Sequence, residues 1–235
     1  MNEQIINEKG MKYLQDGRLE HIPMLDAVLN GGAEVVCASE KGVALLESTG
    51  NVHFLSAADT EEARRMLDLI DDSYMMVVGF KEIADLALKK YGFSEALECY
   101  YAAYLCKEPL PLETDLHIVP ASSADIKVIK KIYHMISEEE IDQIFEAGNL
   151  FSAFMDGEFV GFGGFHLEGS MGLLEILPEH KRKGYGTQIE TFLINEALRR
   201  GKIPYAEIVK ENDISIKLQE KLGLDFGKTP IWWLL

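Results

Sequence analysis

The sequence predicts an α/β protein made of two similar halves. Three observations carry that prediction. Short apolar runs alternate along the chain with segments of helical periodicity, a proline-containing break (KEPLPLETD, residues 107–115) falls near the middle, and much the same order of elements recurs on either side of it. Pro109 and Pro111 interrupt any regular element there, so domains of 1–112 and 113–235 are expected.

In the second half, LHIVPAS (116–122) reads as a strand, followed by a helix over 123–136 with apolar residues at Ile126, Ile129, Ile132 and Ile136. Ser137, with Glu140 three residues on, has the capping-box pattern that starts a second helix. Three strands come next: LFSAFM (150–155), turned by Asp156-Gly157; EFVGFGGFHL (158–167); and MGLLEIL (171–177), which Pro178 stops. After the glycine-rich turn at 184–186 a helix runs to about Arg200, with Gly201 as its stop. PYAEIV (204–209) is a strand, 213–222 a helix ended by Gly223, and IWWLL (231–235) a closing strand. Trp232 and Trp233 in it read as core and sheet edge.

The first half repeats much of this order. Helical patterns at 2–16 and 21–30 precede three strands (33–38, 42–48, 51–57), a helix from an Asp59 or Thr60 cap, a strand (74–79), a helix (82–92) and a strand (96–105). The helix ends match as well, Lys90-Tyr91-Gly92-Phe93 against Lys221-Leu222-Gly223-Leu224.

Composition limits the partners. The 235 residues include 23 Lys and Arg against 39 Asp and Glu, a formal charge of -16. A nucleic acid or anionic membrane would meet net repulsion and little counterion-release gain, so neither is expected as a partner. Cys37, Cys99 and Cys106 are too few and too widely spaced for a disulfide framework or a zinc site. They read as reduced core residues, and no metal is expected. MNEQIINEKG carries early acids and no apolar run, and no Gly follows Met1, so neither a secretory leader nor myristoylation is expected. A cytoplasmic location follows as the expectation.

The stretch that carries chemistry is LLEILPEHKRKGYGT, residues 173–187. A strand stops at Pro178, the chain's only run of three basic residues follows (Lys181, Arg182, Lys183), and Gly184-Tyr185-Gly186 opens a helix. Unpaired amides at a helix N-terminus, with glycines that let a ligand approach the backbone, suit a pyrophosphate. With these residues the sequence resembles the GNAT superfamily of acyl-CoA-dependent N-acyltransferases. The signature Arg/Gln-x-x-Gly-x-Gly/Ala after Val-x-Pro is matched by Ile176-Leu177-Pro178 and 181–186, with Lys181 at the Arg/Gln position. A second family pattern, Asn followed by a helix ending in Lys-x-Gly-Phe, resembles 212–224.

The resemblance implies a mixed, mostly antiparallel twisted sheet with flanking helices, and transfer of an acetyl group from acetyl-CoA to a primary amine. In that scheme CoA lies on Lys181, Arg182, Lys183, Gly184, Tyr185, Gly186 and Thr187, its pantetheine arm pairs near Glu175, Ile176 and Leu177, and Asn212 with Ser215 holds the arm. The first half, with Ala57-Ala58-Asp59-Thr60-Glu61-Glu62 where the cradle belongs, has no glycine and three carboxylates there, so it reads as a degenerate copy of the fold without a CoA site. The two-part arrangement is similar to glycine N-acyltransferase-like proteins.

Deprotonating the acceptor ammonium calls for a base. Glu207, five residues before Asn212, matches a position that supplies it in some relatives, and Glu175 is the competitor. His166 and Glu168 share a face if their strand extends that far, and could bind the acceptor or relay a proton; the other reading is a polar hairpin end. GFGG at 161–164 lies inside a strand pattern, where glycines mark close packing or a bulge. The family's usual acid, a Tyr, is replaced by Gln219, whose amide gives up no proton at neutral pH. The acceptor class left open is a small amine or amino-acid-like molecule, a second copy of the chain stays open as a partner, and a non-catalytic acyl-CoA-binding or sensor protein is the alternative.

Overall fold

The computed structural model describes residues 6–17 and 19–235. The leader and myristoylation readings, and the start of the 2–16 helix, fall on residues 1–5, outside the described residues. Among the described residues no helix is long and apolar enough to cross a membrane.

The chain forms two compact units that are not contiguous halves. The first comprises residues up to 103 together with 207–217 and 225–235, and the second 104–206 with 218–224. The expected break at 112 therefore separates only part of them. The reason is the last strand, whose apolar residues find both their ladder partners in the N-terminal half.

The first unit is built on a sheet ordered β1-β2-β3-β4-β12-β5-β10, with β11 also pairing β5. Its strands are β1 (Ala33–Ser39), β2 (Gly42–Glu47), β3 (Val52–Ala57), β4 (Met75–Val78), β5 (Ala96–Ala103), β10 (Tyr205–Val209), β11 (Asp225–Phe226) and β12 (Ile231–Leu234). Helix α3 (Thr60–Leu67) joins the parallel pair β3 and β4, because parallel neighbours need a crossover. The sheet buries both faces. Val43, Leu45, Phe54 and Val77 meet α1 (Glu8–Asp16) and α2 (Ile22–Leu29) through Leu14 and Met24. Their neighbours Ala44, Leu55, Met76 and Val78 meet α3 and α4 (Lys81–Tyr91) through Met66 and Ile83. β12 lies inside this sheet, with Trp232 opposite Val78 on one side and Glu98 on the other. The two tryptophans therefore sit mid-sheet and not at the edge expected of them.

The second unit is an antiparallel meander, β6 (His117–Pro120), β7 (Leu150–Met155), β8 (Glu158–Phe165) and β9 (Met171–Ile176). Helices α5 (Ser123–Ile132) and α6 (Glu138–Glu146) cover one face through Ile126, Ile129, Ile141 and Ile144 on Phe162 and Leu173. The reciprocal capping box forms at Ser122 and Asp125, one helix earlier than expected, while Ser137 accepts from the Glu140 amide at 3.1 Å. Helix α7 (Tyr185–Arg199) packs on β8, where a Cβ on Gly163 would stand 2.6 Å from Ile189 and 3.2 Å from Leu193. A Cβ on Gly161 would stand 2.4 Å from the Glu175 carbonyl, so the GFGG glycines serve close packing. α8 (Asp213–Lys221) ends at the Gly223 turn. Cys99 is buried and Cys37 partly so, but Cys106 is exposed, which corrects its assignment to a core.

Candidate active site

The site is assembled by the path of the chain from β9 into α7. Between the pairs Phe162↔Glu175 and Gly164↔Gly172, β8 advances two residues and β9 three, so β9 carries a bulge. Leu173 lies at the bulge with φ 51°, an uncommon conformation for a branched residue. This bulge was invisible in the sequence, because Leu173-Leu174 reads as ordinary strand. After it, the Leu177 amide donates to the Val160 carbonyl at 3.0 Å and Pro178–His180 forms one 3-10 turn.

Two left-handed residues then turn the chain, Arg182 at φ 64° and Gly184 at φ 84°. Gly184 caps α7 without a side-chain bond, and the first amide of the helix to find an acceptor in the chain is that of Gln188, on the Gly184 carbonyl at 3.2 Å. Among the described residues the amides before it have no acceptor, and they lie at the positive end of a 15-residue helix dipole. A Cβ placed on Gly186 would come no nearer than 3.9 Å to Ile176 or Leu174, and one on Gly184 would meet only Gln188, also at 3.9 Å. Packing within the protein does not demand glycine at 186. The space it leaves open suits a ligand lying against the backbone, and the amides with their flanking cations suit a pyrophosphate.

Of the three cations, Lys181 pairs with Glu175 at 2.9 Å. Lys183 Nζ lies 3.4 Å from His180 Nδ1, and Arg182 and Lys183 are exposed. The second unit thus brings Glu175, Ile176, Leu177 and 181–187 into one continuous turn. Glu207, Asn212 and Ser215 belong to the first unit. There Glu207 accepts a hydrogen bond from the Trp233 indole N–H, and the Asn212 side chain caps α8 by accepting from the Ser215 amide at 3.1 Å.

His166 and Glu168 are not on an extended strand. β8 stops at Phe165, and His166 opens a tight turn in which its carbonyl accepts from the Gly169 amide at 3.0 Å. Glu168 accepts from the Ser170 hydroxyl, and its carbonyl accepts from Tyr205 at 2.9 Å. The shared-face argument for this pair therefore fails, since alternation holds only in extended backbone.

Gln219 is buried and donates to Glu190 at 2.6 Å. Burial pushes the Glu190 carboxyl up to about 7, with the Gln219 bond opposing. The Gln219 amide is thus spent on an interior bond between α8 and α7. Sequence reasoning missed Glu190, although an acid among Ile189, Leu193 and Ile194 on a helical face is a visible signal.

Comparison with known proteins accords with this geometry. The sequence model of the acetyltransferase (GNAT) family matches residues 122–224. That span belongs to the GNAT family. No curated protein sequence matches the chain. Among solved structures, a GCN5-related N-acetyltransferase-like protein from Streptococcus suis superposes with a TM-score of 0.54 at 14% identity, over 96% of this chain and 99% of that one. A Drosophila protein gives 0.62 at 16%, over 83% and 74%. A GCN5-related N-acetyltransferase from Kribbella flavida gives 0.51 at 15%, over 91% and 94%. At these identities the likeness is one of fold, and it is the mixed, mostly antiparallel fold with flanking helices that GNAT membership implies.

Proposed function

We propose that the chain is an N-acyltransferase that moves an acetyl group from acetyl-CoA to a primary amine by direct attack in a ternary complex. The observation that carries this reading is the open N-terminus of α7, with left-handed Arg182 and Gly184, three cations and the unfilled space at Gly186. Lys181, Arg182, Lys183, Gly184, Tyr185, Gly186 and Thr187 would hold the pyrophosphate. The edge of β9 at Glu175, Ile176 and Leu177 would pair with the pantetheine amides. The Asn212 side-chain nitrogen, left to donate while its oxygen caps α8, is assigned to the same arm, with Ser215 beside it in sequence. When bound, acetyl-CoA supplies the thioester.

The chain's part in the reaction is to orient and to move protons. Holding the amine and the thioester together lowers the barrier by several kcal/mol, with about 7–11 kcal/mol as the limit in well-oriented systems. We assign Glu207 as the base that takes the ammonium proton, directly or through water. The Trp233 indole fixes one of its oxygens. Glu175 is the weaker candidate because its carboxylate is already engaged by Lys181 at 2.9 Å. His166 and Glu168 are assigned to the acceptor side. The amine nitrogen bonds to the carbonyl carbon, the carbon–sulfur bond breaks, and the thiolate, with a pKa near 8.5 for an ordinary thiol, leaves without a protein acid, while the second nitrogen proton passes to water or to the departing sulfur. We assign the carbonyl oxygen to a backbone amide at the β9 bulge, where the ladder slips between Gly172 and Glu175.

Calorimetric titration with acetyl-CoA, followed by thiol release over a panel of small amines, tests the reading. Saturable binding and amine-dependent release are expected. Glu207→Gln keeps the acceptor for Trp233 and is expected to spare binding while lowering turnover about 100-fold. Unchanged turnover removes Glu207 as base. Tight binding without release over the whole panel would favour a sensor.

A further inference from the structure

The first unit contains a cleft of about 390 Å³ at the ends of β3 and β4, with Ser56 and Ala57 on one wall and Val78 and Gly79 on the other. It occupies, in the element order of this unit, the place that the turn after β9 occupies in the second. No anion cradle accompanies it: α3 is capped by its own Asp59, which accepts from the Glu62 amide at 2.8 Å.

The polar groups of the cleft form a chain whose protons can be assigned. His21 Nδ1 lies 3.1 Å from the Leu14 carbonyl, which can only accept, so Nδ1 carries a proton. Burial lowers the His21 pKa, which leaves the ring neutral and Nε2 bare. Ser56 Oγ stands 2.7 Å from that nitrogen and must donate to it. Tyr13 Oη is 3.1 Å from the same Ser56 oxygen, whose only proton is already used, so Tyr13 donates to Ser56. Both hydroxyl protons are consumed inside the chain. What Ser56 and Tyr13 have left to offer is lone pairs alone, and Glu20 lines the same cleft, one of its carboxylate oxygens accepting from the Lys228 amide at 3.4 Å.

The remaining walls are apolar and aromatic, with Met24, Phe54, Phe80 and Tyr101 among them. Aromatic faces attract a cation. The arrangement is specifically maintained: a Cβ on Gly17 would stand 2.6 Å from His21 Cε1, so glycine there admits the ring, which lies 5.0 Å from that of Tyr13.

We propose that this cleft binds a small primary amine with an apolar body, its ammonium donating to Tyr13, Ser56 and Glu20. A carboxylate of the same size would meet lone pairs and a negative charge. The site is independent of the acyl-transfer reading.

The test is calorimetric titration of the whole chain with 2-phenylethylamine, 2-phenylethanol and 3-phenylpropionate. The amine is expected to bind at least tenfold more tightly than the alcohol, and the carboxylate not at all. A Cβ on Gly79 would meet nothing within 4 Å and the residue has no left-handed φ, so Gly79→Leu fills the cleft without backbone strain and is expected to abolish amine binding. Tyr13→Phe and Glu20→Gln are each expected to weaken it about tenfold. Acetyl-CoA titrations of the same variants are expected to be unchanged, which separates this cleft from the transfer site. Equal binding of amine and carboxylate, or amine binding that persists in both Gly79→Leu and Glu20→Gln, overturns the proposal.

Discussion

The turn after β3 and the turn after β9 each lead a strand into a helix, yet they end their helices in opposite ways. α3 begins under Asp59, whose carboxylate accepts from the Glu62 amide, with Glu61 and Glu62 in the first turn. Its N-terminus is satisfied from within. α7 begins under Gly184, with no side-chain cap, no acid in its first turn, and three cations just before it. Its amides are left for a group from outside. The helix bodies differ as well: α3 buries Ala63, Met66 and Leu67, whereas α7 buries the carboxyl of Glu190. The same step from strand into helix thus has a closed start at α3 and an open one at α7, through a handful of residues.

Breaking the open start of α7 carries the largest expected effect. Gly184→Glu forces a side chain into φ 84° and sets a carboxylate where the proposed pyrophosphate would lie. Acetyl-CoA binding is expected to fall more than 100-fold by calorimetry, with the circular dichroism spectrum retained. Next comes the charge alone: Arg182→Ala with Lys183→Ala removes two exposed cations while leaving the amides, and a loss of about 10- to 100-fold in affinity, with a shallower salt dependence, is expected.

The buried carboxyl of α7 gives a pH-dependent contrast. Its folded pKa near 7 exceeds that of an exposed Glu, so the folded state binds more protons and stability falls as pH rises from about 4.5 to 7. Glu190→Gln keeps an acceptor for Gln219 and offers a donor to the Gln219 oxygen, which has no partner. It is expected to stabilise the fold by about 1–2 kcal/mol at pH 8 and by little at pH 5, read as the shift in melting temperature at the two pH values. The smallest effect belongs to the closed start of α3, where Asp59→Ala is expected to cost about 1 kcal/mol in denaturant unfolding and leave acetyl-CoA affinity unchanged.

Much of the candidate site was legible because its pieces are local. Pro178, the basic run and Gly184 to Gly186 act within a dozen residues, and a helix start needs little beyond its own sequence. The α7 helix, the β7-β8-β9 meander and the packing role of GFGG were legible for the same reason. His166 and Glu168 were misread because strand length there depends on the Gly169-Ser170 turn, which stops β8 two residues early. The Leu173 bulge left no sequence trace, since two adjacent leucines satisfy a strand pattern whether or not the ladder slips by one.

The order of elements apart from β11, the uncapped glycine start of α7 and the inability of Gln219 to act as an acid were settled by the sequence itself, because backbone preference and side-chain chemistry are properties of short segments. Tertiary structure alone decided three other matters: that β12 enters the sheet between β4 and β5, that Gln219 is bound to Glu190, and that Tyr13, His21 and Ser56 form one proton chain. Each joins residues between 29 and roughly 150 positions apart. Such pairings follow from which apolar faces are buried together, a choice made by the whole core rather than by any stretch of it.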